Sequence, residues 1–384
     1  MKTLPRPQLL QRLRAALRRS PVAALLGPRQ CGKTTLAKEF AGRTPQAHFF
    51  DLESERDQAR LQHPQVLLEN LKGLVVLDEV QHMPSLMPLL RVLADRRPTP
   101  CRFLLLGSAS LDVVRRSSES LAGRIEFVDM GGFSLLETGP RARDLLWLRG
   151  GFPRSFLARS APDSRAWREN FIKTFLQRDL PQLGIRIPAM QILRFWRMVA
   201  HLHGQVWNGS EIAGSLGISH PTSRHYLDLL TGAYMLRQLP PWFENTGKRV
   251  VKAAKVYLRD SGLLHALLGL WNGDDLGAHP KYGFSWEGFA IEQILKQAGE
   301  SEAYFWGTHG GAELDLLLLR HGRRWGFEFK VSDAPTVSKS MRIAMKDLRL
   351  DHLWVVYPGP KGYPMDKGID CVSLPEALRL KILQ

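Results

Sequence analysis

Residues 22–35 read Val22-Ala-Ala-Leu-Leu-Gly27-Pro28-Arg29-Gln30-Cys31-Gly32-Lys33-Thr34-Thr35, and a helix-forming stretch follows to Phe40. An apolar run turns through two glycines into a helix, and Gly27 to Thr34 satisfies G-x-x-x-x-G-K-T. That order is what matters. A strand that opens into a helix start aims backbone N–H groups and the positive helix end at one point, which favours a polyphosphate. Lys33 is placed to reach the β- and γ-phosphates of ATP, and the Thr34 hydroxyl to hold Mg²⁺. Gly27, Pro28, Arg29, Gln30, Cys31, Gly32 and Thr35 complete the expected ATP contacts.

A second stretch answers the first: Leu74-Val-Val-Leu-Asp78-Glu79. Four apolar residues predict a strand buried on both faces, as in a parallel sheet. Asp78 then falls at its carboxyl end, where open α/β sheets bind ligands. The expectation is that Asp78 positions the Mg²⁺ and its water shell while Glu79 polarises the attacking water. An acidic turn closing a core strand is the competing explanation. Two independent motifs in the right order favour a nucleoside triphosphate.

The chain has 384 residues, room for two or three domains, and carries 53 Lys+Arg against 37 Asp+Glu. The excess is uneven. Residues 151–260 hold 16 basic and 7 acidic side chains, a net of +9, whereas 261–384 hold 14 and 15, a net of −1. The basic middle points to a polyanionic partner, with solubility charge as the alternative. Cys31, Cys101 and Cys371 are far apart without metal-type spacing, which predicts a reducing cytoplasmic setting. The stretch 8–19 reads as an amphipathic helix rather than a signal peptide, and no segment approaches membrane-spanning length.

Along residues 1–185, strands are expected near Val22–Leu26, His48–Leu52, Leu74–Val80, Arg102–Gly107 and Ile125–Met130, with helices between them. That alternation implies an α/β doubly wound parallel sheet. Ser108 ends the fourth strand and is the first choice for contacting the γ-phosphate or its water; Ser110 is second, and a helix cap competes. Arg124, before the fifth strand, is placed to reach a neighbouring subunit's nucleotide as an arginine finger, with Arg115 and Arg116 as rivals and a solvated arginine as the plain alternative. Arg154, in Gly151-Phe-Pro-Arg154, opens a helical lid and is expected to sense nucleotide in cis. These residues together resemble the AAA+ ATPases.

Residues 186–258 read as a winged-helix domain. Asn208-Gly-Ser-Glu211 is a capping box opening one helix, and Gly217-Ile-Ser219 turns into a second beginning at Pro221. A hairpin with the tip Asn245-Thr-Gly-Lys248-Arg249 follows. If the module binds DNA, His220, Thr222, Ser223 and Arg224 face a groove while Lys248 and Arg249 meet phosphate. Winged helices also serve as interfaces or lids.

Residues 259–384 change character. Glu287 lies on an amphipathic helix, and Glu313-Leu-Asp315 and Glu328-Phe-Lys330 lie on strands joined by His321-Gly-Arg-Arg. Side chains two apart on a strand share a face. Asp315, Glu328 and Lys330 resemble the PD-(D/E)xK nuclease signature, and Glu287 the helical glutamate upstream of it. The resemblance implies a restriction-endonuclease-like α/β domain with a Mg²⁺ site; an ion-paired hairpin on a degenerate fold is the alternative.

Over its full length the chain resembles a prokaryotic family of AAA+ P-loop ATPases with a winged helix and a C-terminal nuclease-like domain. The resemblance implies ATP binding and that three-part architecture. The first function expected from the winged helix and Arg124 is a DNA-dependent ATPase that remodels duplex or branched DNA, with Holliday junctions as the analogy, in a homo-oligomer that forms a ring, a hexameric one included, or a partial ring. Two other functions stay open: an ATP-regulated, Mg²⁺-dependent nuclease, or a nucleotide switch that binds protein partners in defence or signalling.

Overall fold

In the computed structural model, which describes residues 4–96, 101–108, 121–182, 185–243 and 250–383, β1 (Val22–Gly27) is buried at every position. A strand covered on both faces has no polar side to offer, hence the unbroken apolar run. Around it lie β2 (Ala47–Asp51), β3 (Gly73–Asp78), β4 (Cys101–Ser108) and β5 (Ile125–Asp129). They form one sheet in the order β2-β3-β4-β1-β5, and every pairing is parallel. The expected strands recur with ends shifted by one or two residues. The third stops at Asp78 rather than Val80 because Glu79 turns into the left-handed region at φ 52°.

Parallel register aligns the carboxyl ends. Gly27 pairs with Ser108, Leu26 with Asp129, and Asp51 with Asp78. The chain reverses direction of winding at β1, which β4 and β5 flank, and a crevice for ligand opens at such a point. The helix Pro7–Arg19 buries Leu9, Leu10, Leu13, Ala16 and Leu17 in one stripe. Below the other face, Leu86, Met87, Leu90 and Leu93 of the helix Leu86–Ala94 close on Val75, Leu77, Phe103 and Leu105.

The chain divides into two compact units: residues 1–132 with Gly232–Tyr234, and 133–231 with 235–384. This differs from the expected division at 185. The segment expected as a lid on the first sheet belongs to the second unit, for an aromatic reason. Phe152 packs on Trp167 and Phe171, Phe171 stacks on Phe175, and Phe175 meets Trp196 of the helix Ala189–His201. Trp147 packs on Trp286 and donates its indole N–H to Ser285 Oγ at 2.9 Å.

The middle of this unit runs helix Ala189–His201, β6 (Gln205–Val206), helix Gly209–Leu216, helix His220–Gly232, β7 (Leu236–Leu239) and β8 (Lys255–Leu258). Asn208 Oδ1 accepts from the Glu211 N–H, and Gly217 takes φ 65° to stop the first helix of the pair. The strands form a small sheet, β6-β8-β7. The hairpin tip, with Lys248 and Arg249, lies outside the described residues.

After the long helix Tyr282–Ala298 come β9 (Ala303–Gly307), β10 (Glu313–Arg320), β11 (Arg323–Phe329), helix Lys339–Asp347, β12 (His352–Tyr357), β13 (Tyr363–Asp366) and β14 (Ile369–Ser373). They make a mixed sheet in the order β13-β14-β12-β11-β10-β9. His321 and Gly322 both have positive φ, as a two-residue hairpin link between β10 and β11 requires. The register of β10 against β9 shifts between Leu314 and Leu317, the interval that contains Asp315.

Candidate functional site

The loop after β1 has little room. A side chain at Gly27 would drive its Cβ to 1.9 Å from the Met130 carbonyl oxygen. Gly32 caps the following helix at φ 100°, and Gln30 is also left-handed at φ 63°. Lys33 is buried, and its Nζ donates to the carbonyls of Gly27 and Pro28, each at 2.9 Å. Those carbonyls hold the ammonium at the loop's mouth, where an incoming phosphate would be. Cys31 is fully buried with Sγ 3.5 Å from the Met130 carbonyl, so it fills the loop rather than exposing a thiol. Arg6 donates to the carbonyls of Gly131 and Gly132 at 3.1 and 3.2 Å; nothing in the motif announced that support.

Asp78 is 3% exposed at the end of β3. Burial pushes its carboxyl up to about 6, opposed by a hydrogen bond from the Thr34 hydroxyl and reinforced by the charges of Glu79 and Asp51. A buried carboxylate with two acidic neighbours is short of a cation. Thr34 and Asp78, joined by that hydrogen bond, are the pair suited to a Mg²⁺ carried in on phosphate. The Glu79 N–H donates to Asp78 Oδ1 at 3.0 Å, and the Glu79 carboxylate accepts from Gln81 Nε2. Arg29 lies 3.9 Å from Glu53 Oε1, and Thr35 is exposed.

The other expected residues divide. Ser108 reaches the carboxyl end of β4 opposite Gly27, while Ser110, Arg115 and Arg116 lie outside the described residues. Arg124 sits at the amino end of the sheet, its carbonyl accepting from the Val22 N–H. The length of β1, roughly 17–20 Å, separates it from its own phosphate loop. There it makes a two-pronged pair with Asp95, Nε to Oδ1 at 2.5 Å and Nη2 to Oδ2 at 2.9 Å. Arg154 is exposed and belongs to the second unit.

On the helix pair, His220 and Arg224 are exposed, and Arg224 Nε pairs with Asp228 at 3.2 Å. Thr222 shares a hydrogen bond with Ser219 Oγ at 2.8 Å. Ser223 needs correction as a groove-facing residue. It is fully buried and donates to the Gly209 carbonyl at 3.3 Å, because one turn of helix rotates it onto the partner helix. The +9 of residues 151–260 is also partly internal. Arg237 pairs with Glu292 and Glu300, Arg259 with Glu292 and Glu300, and Lys255 with Glu287; part of the basic middle is the counter-charge of the C-terminal region.

The nuclease-like residues do converge. Asp315, Glu328 and Glu287 are each about 5% exposed, and Lys330 Nζ donates to Glu328 Oε1 at 3.1 Å. Burial and the Asp315 charge push Glu287 up to about 7 and Glu328 to about 8. Reasoning from motifs missed Lys255 and Tyr257 of β8, which point into the same cluster. A Lys and a Tyr two apart in a wholly buried strand was the available signal.

Residues 19–139 match the AAA domain family, 141–274 a domain of unknown function (DUF8612), and 282–377 another (DUF4143). The chain is 49% identical over 367 residues to the uncharacterized protein Rv2008c of Mycobacterium tuberculosis, covering 96% of this chain and 83% of the relative. The same figures hold for the uncharacterized protein Mb2031c of Mycobacterium bovis. Among solved structures, the Walker-type ATPase PABY2304 of Pyrococcus abyssi matches 69% of this chain and 96% of its own, with a TM-score of 0.48 at 17% identity.

Proposed function

Since this chain belongs with two uncharacterized mycobacterial relatives to which it is 49% identical, and its residues 19–139 match the AAA domain family, we propose that it is a DNA-dependent ATPase acting on duplex or branched DNA. The observation that carries the ATPase part is the meeting of Thr34 and Asp78 beside a Lys33 held by loop carbonyls. Lys33 exchanges the Gly27 and Pro28 carbonyls for the β- and γ-phosphates of ATP. Thr34 and Asp78 would hold Mg²⁺, which when bound neutralises charge on the phosphate oxygens. Glu79, released from Gln81, takes a hydrogen bond from the attacking water and polarises it. Ser108 adds a polar group on the γ-phosphate side.

Arg124 lies too far along β1 to serve its own nucleotide, which supports a role toward a neighbour's and hence an assembly, a ring of six by the AAA+ resemblance. In that assembly Arg124 leaves Asp95 for the transferring phosphate. The helix pair with its adjoining hairpin supports a winged-helix reading, in which His220, Thr222 and Arg224 approach DNA and Lys248 and Arg249 contact phosphate. No helix among the described residues is long and apolar enough to cross a membrane, and the cytoplasm is the proposed setting.

ATPase rates measured without DNA, with linear duplex and with a four-way junction test the proposal, using Glu79→Gln as control. Stimulation of several-fold by one DNA form is expected. Hydrolysis indifferent to every DNA form removes DNA and leaves a nucleotide switch; a rate no higher than that of Glu79→Gln removes the ATPase.

A further inference from the structure

The C-terminal resemblance implies a divalent cation held by Asp315, Glu328 and Glu287, and the surrounding side chains do not fit one. Lys255 reaches from β8 into the cluster and is 3% exposed. Its Nζ lies 3.2 Å from Glu287 Oε1 and 3.5 Å from Asp315 Oδ1, and it pairs with Glu313 as well. The ammonium thus stands where the helix carboxylate and the β10 carboxylates meet. A divalent ion drawn to those oxygens would sit at contact distance from a buried positive charge with little water to screen it. Among the described residues, no three His, Cys, Asp or Glu side chains are arranged to hold a metal ion.

Further donors reach the same carboxylates. Tyr257, on the same face of β8 as Lys255, donates to Glu287 Oε1 at 2.6 Å. Asp315 Oδ2 accepts from the Phe329 N–H at 3.0 Å, and Glu328 accepts from Lys330. We infer that Lys255 is the resident cation of this cluster, so that the nuclease-like carboxylates clamp the β7–β8 hairpin to the C-terminal sheet instead of binding metal and cutting DNA.

A second contact of the same kind supports the clamp. Arg237, on β7, is buried against Glu292 of the helix Tyr282–Ala298. Each strand of the hairpin therefore sends one buried cation to the same helix. An unpaired carboxylate at either position would be costly, which is why the two cations and the helix glutamates belong together. The inference is independent of the ATPase reading, because it concerns residues remote in sequence from the phosphate loop and needs no nucleotide.

The test is Mn²⁺ titration followed by electron paramagnetic resonance on the full chain without nucleotide, using wild type and Asp315→Asn, with melting curves of wild type and Lys255→Met. Wild type is expected to hold no Mn²⁺ that Asp315→Asn removes, and Lys255→Met to melt several degrees lower. One wild-type Mn²⁺ abolished by Asp315→Asn would overturn the inference, as would a Lys255→Met chain that melts like wild type. The Mn²⁺ arm uses wild type and an Asp315→Asn chain shown by circular dichroism to be folded, so it decides even if Lys255→Met does not fold.

Discussion

The Thr34 hydroxyl donates a hydrogen bond to the Asp78 carboxylate, joining the end of the phosphate loop to the end of β3 across the intervening strand β4. Two segments far apart in sequence thus share one hydrogen bond at the crevice. Several consequences of that junction are measurable.

Lys33→Ala removes the ammonium held by the Gly27 and Pro28 carbonyls. A charge-assisted contact to phosphate contributes about 1.5–3 kcal/mol, so nucleotide affinity should drop about 10- to 150-fold. Calorimetric titration with ATP checks it, and an unchanged Kd would place the nucleotide elsewhere.

Glu79→Gln keeps the shape of the site and discards the base. Hydrolysis should fall by about 10²- to 10⁴-fold with ATP affinity preserved within a few-fold. Single-turnover hydrolysis alongside binding separates the two quantities. A variant that hydrolyses at the wild-type rate would remove Glu79 from the mechanism.

Asp78 carries a pH signature. The unfolded chain loses this proton near pH 4, whereas the folded chain keeps it to about 6 because the carboxyl is buried. Between those values the folded state binds more protons, so stability contributed by this group is full below the window and lost as pH rises through 6. Asp78→Asn carries an amide, which does not titrate. Its stability relative to wild type should therefore rise by about 2–3 kcal/mol from pH 4 to pH 7. Urea unfolding of both chains across that range measures it, and a gap that ignores pH contradicts the assignment.

Arg124→Ala should lower ATP turnover by about 10³-fold without loss of nucleotide affinity if it acts between subunits. Mixing Arg124→Ala with Glu79→Gln then restores part of the activity, because an intact site meets an intact arginine. Two dead variants that stay dead when mixed would confine Arg124 to its Asp95 pair.

Arg224→Ala and Ser223→Ala should part company. Arg224 is exposed, so its loss weakens DNA binding and reduces the salt dependence of the affinity, with little change in melting. Ser223 is buried on the Gly209 carbonyl, so its loss costs about 1 kcal/mol of stability and leaves affinity unchanged. DNA affinity at three salt concentrations, beside melting curves, distinguishes them; equal effects on DNA would mean the helix does not dock as described.

What the chain's sequence determined by itself is whatever depends on neighbours along it. The apolar run before Gly27, the glycines that permit its turn, and Asp78 at the end of four apolar residues are local patterns, and they sufficed for the parallel sheet and for the positions of Lys33 and Thr34 at a helix start and Asp78 at a strand end. Asn208, Gly217 and the His321-Gly322 turn were legible for the same reason, since caps and turns act over three or four residues. Tertiary structure alone decided the rest. Residues 133–185 joined the second unit because aromatic faces find partners that no local pattern names. Ser223 turned inward because a helix face is chosen by what packs on it. Lys255 and Arg237, which look like surface charge in a basic stretch, became buried counter-ions of Glu287 and Glu292. A charge acts through space on whatever the fold brings within a few ångströms, so its partner is set by packing and not by position in the chain.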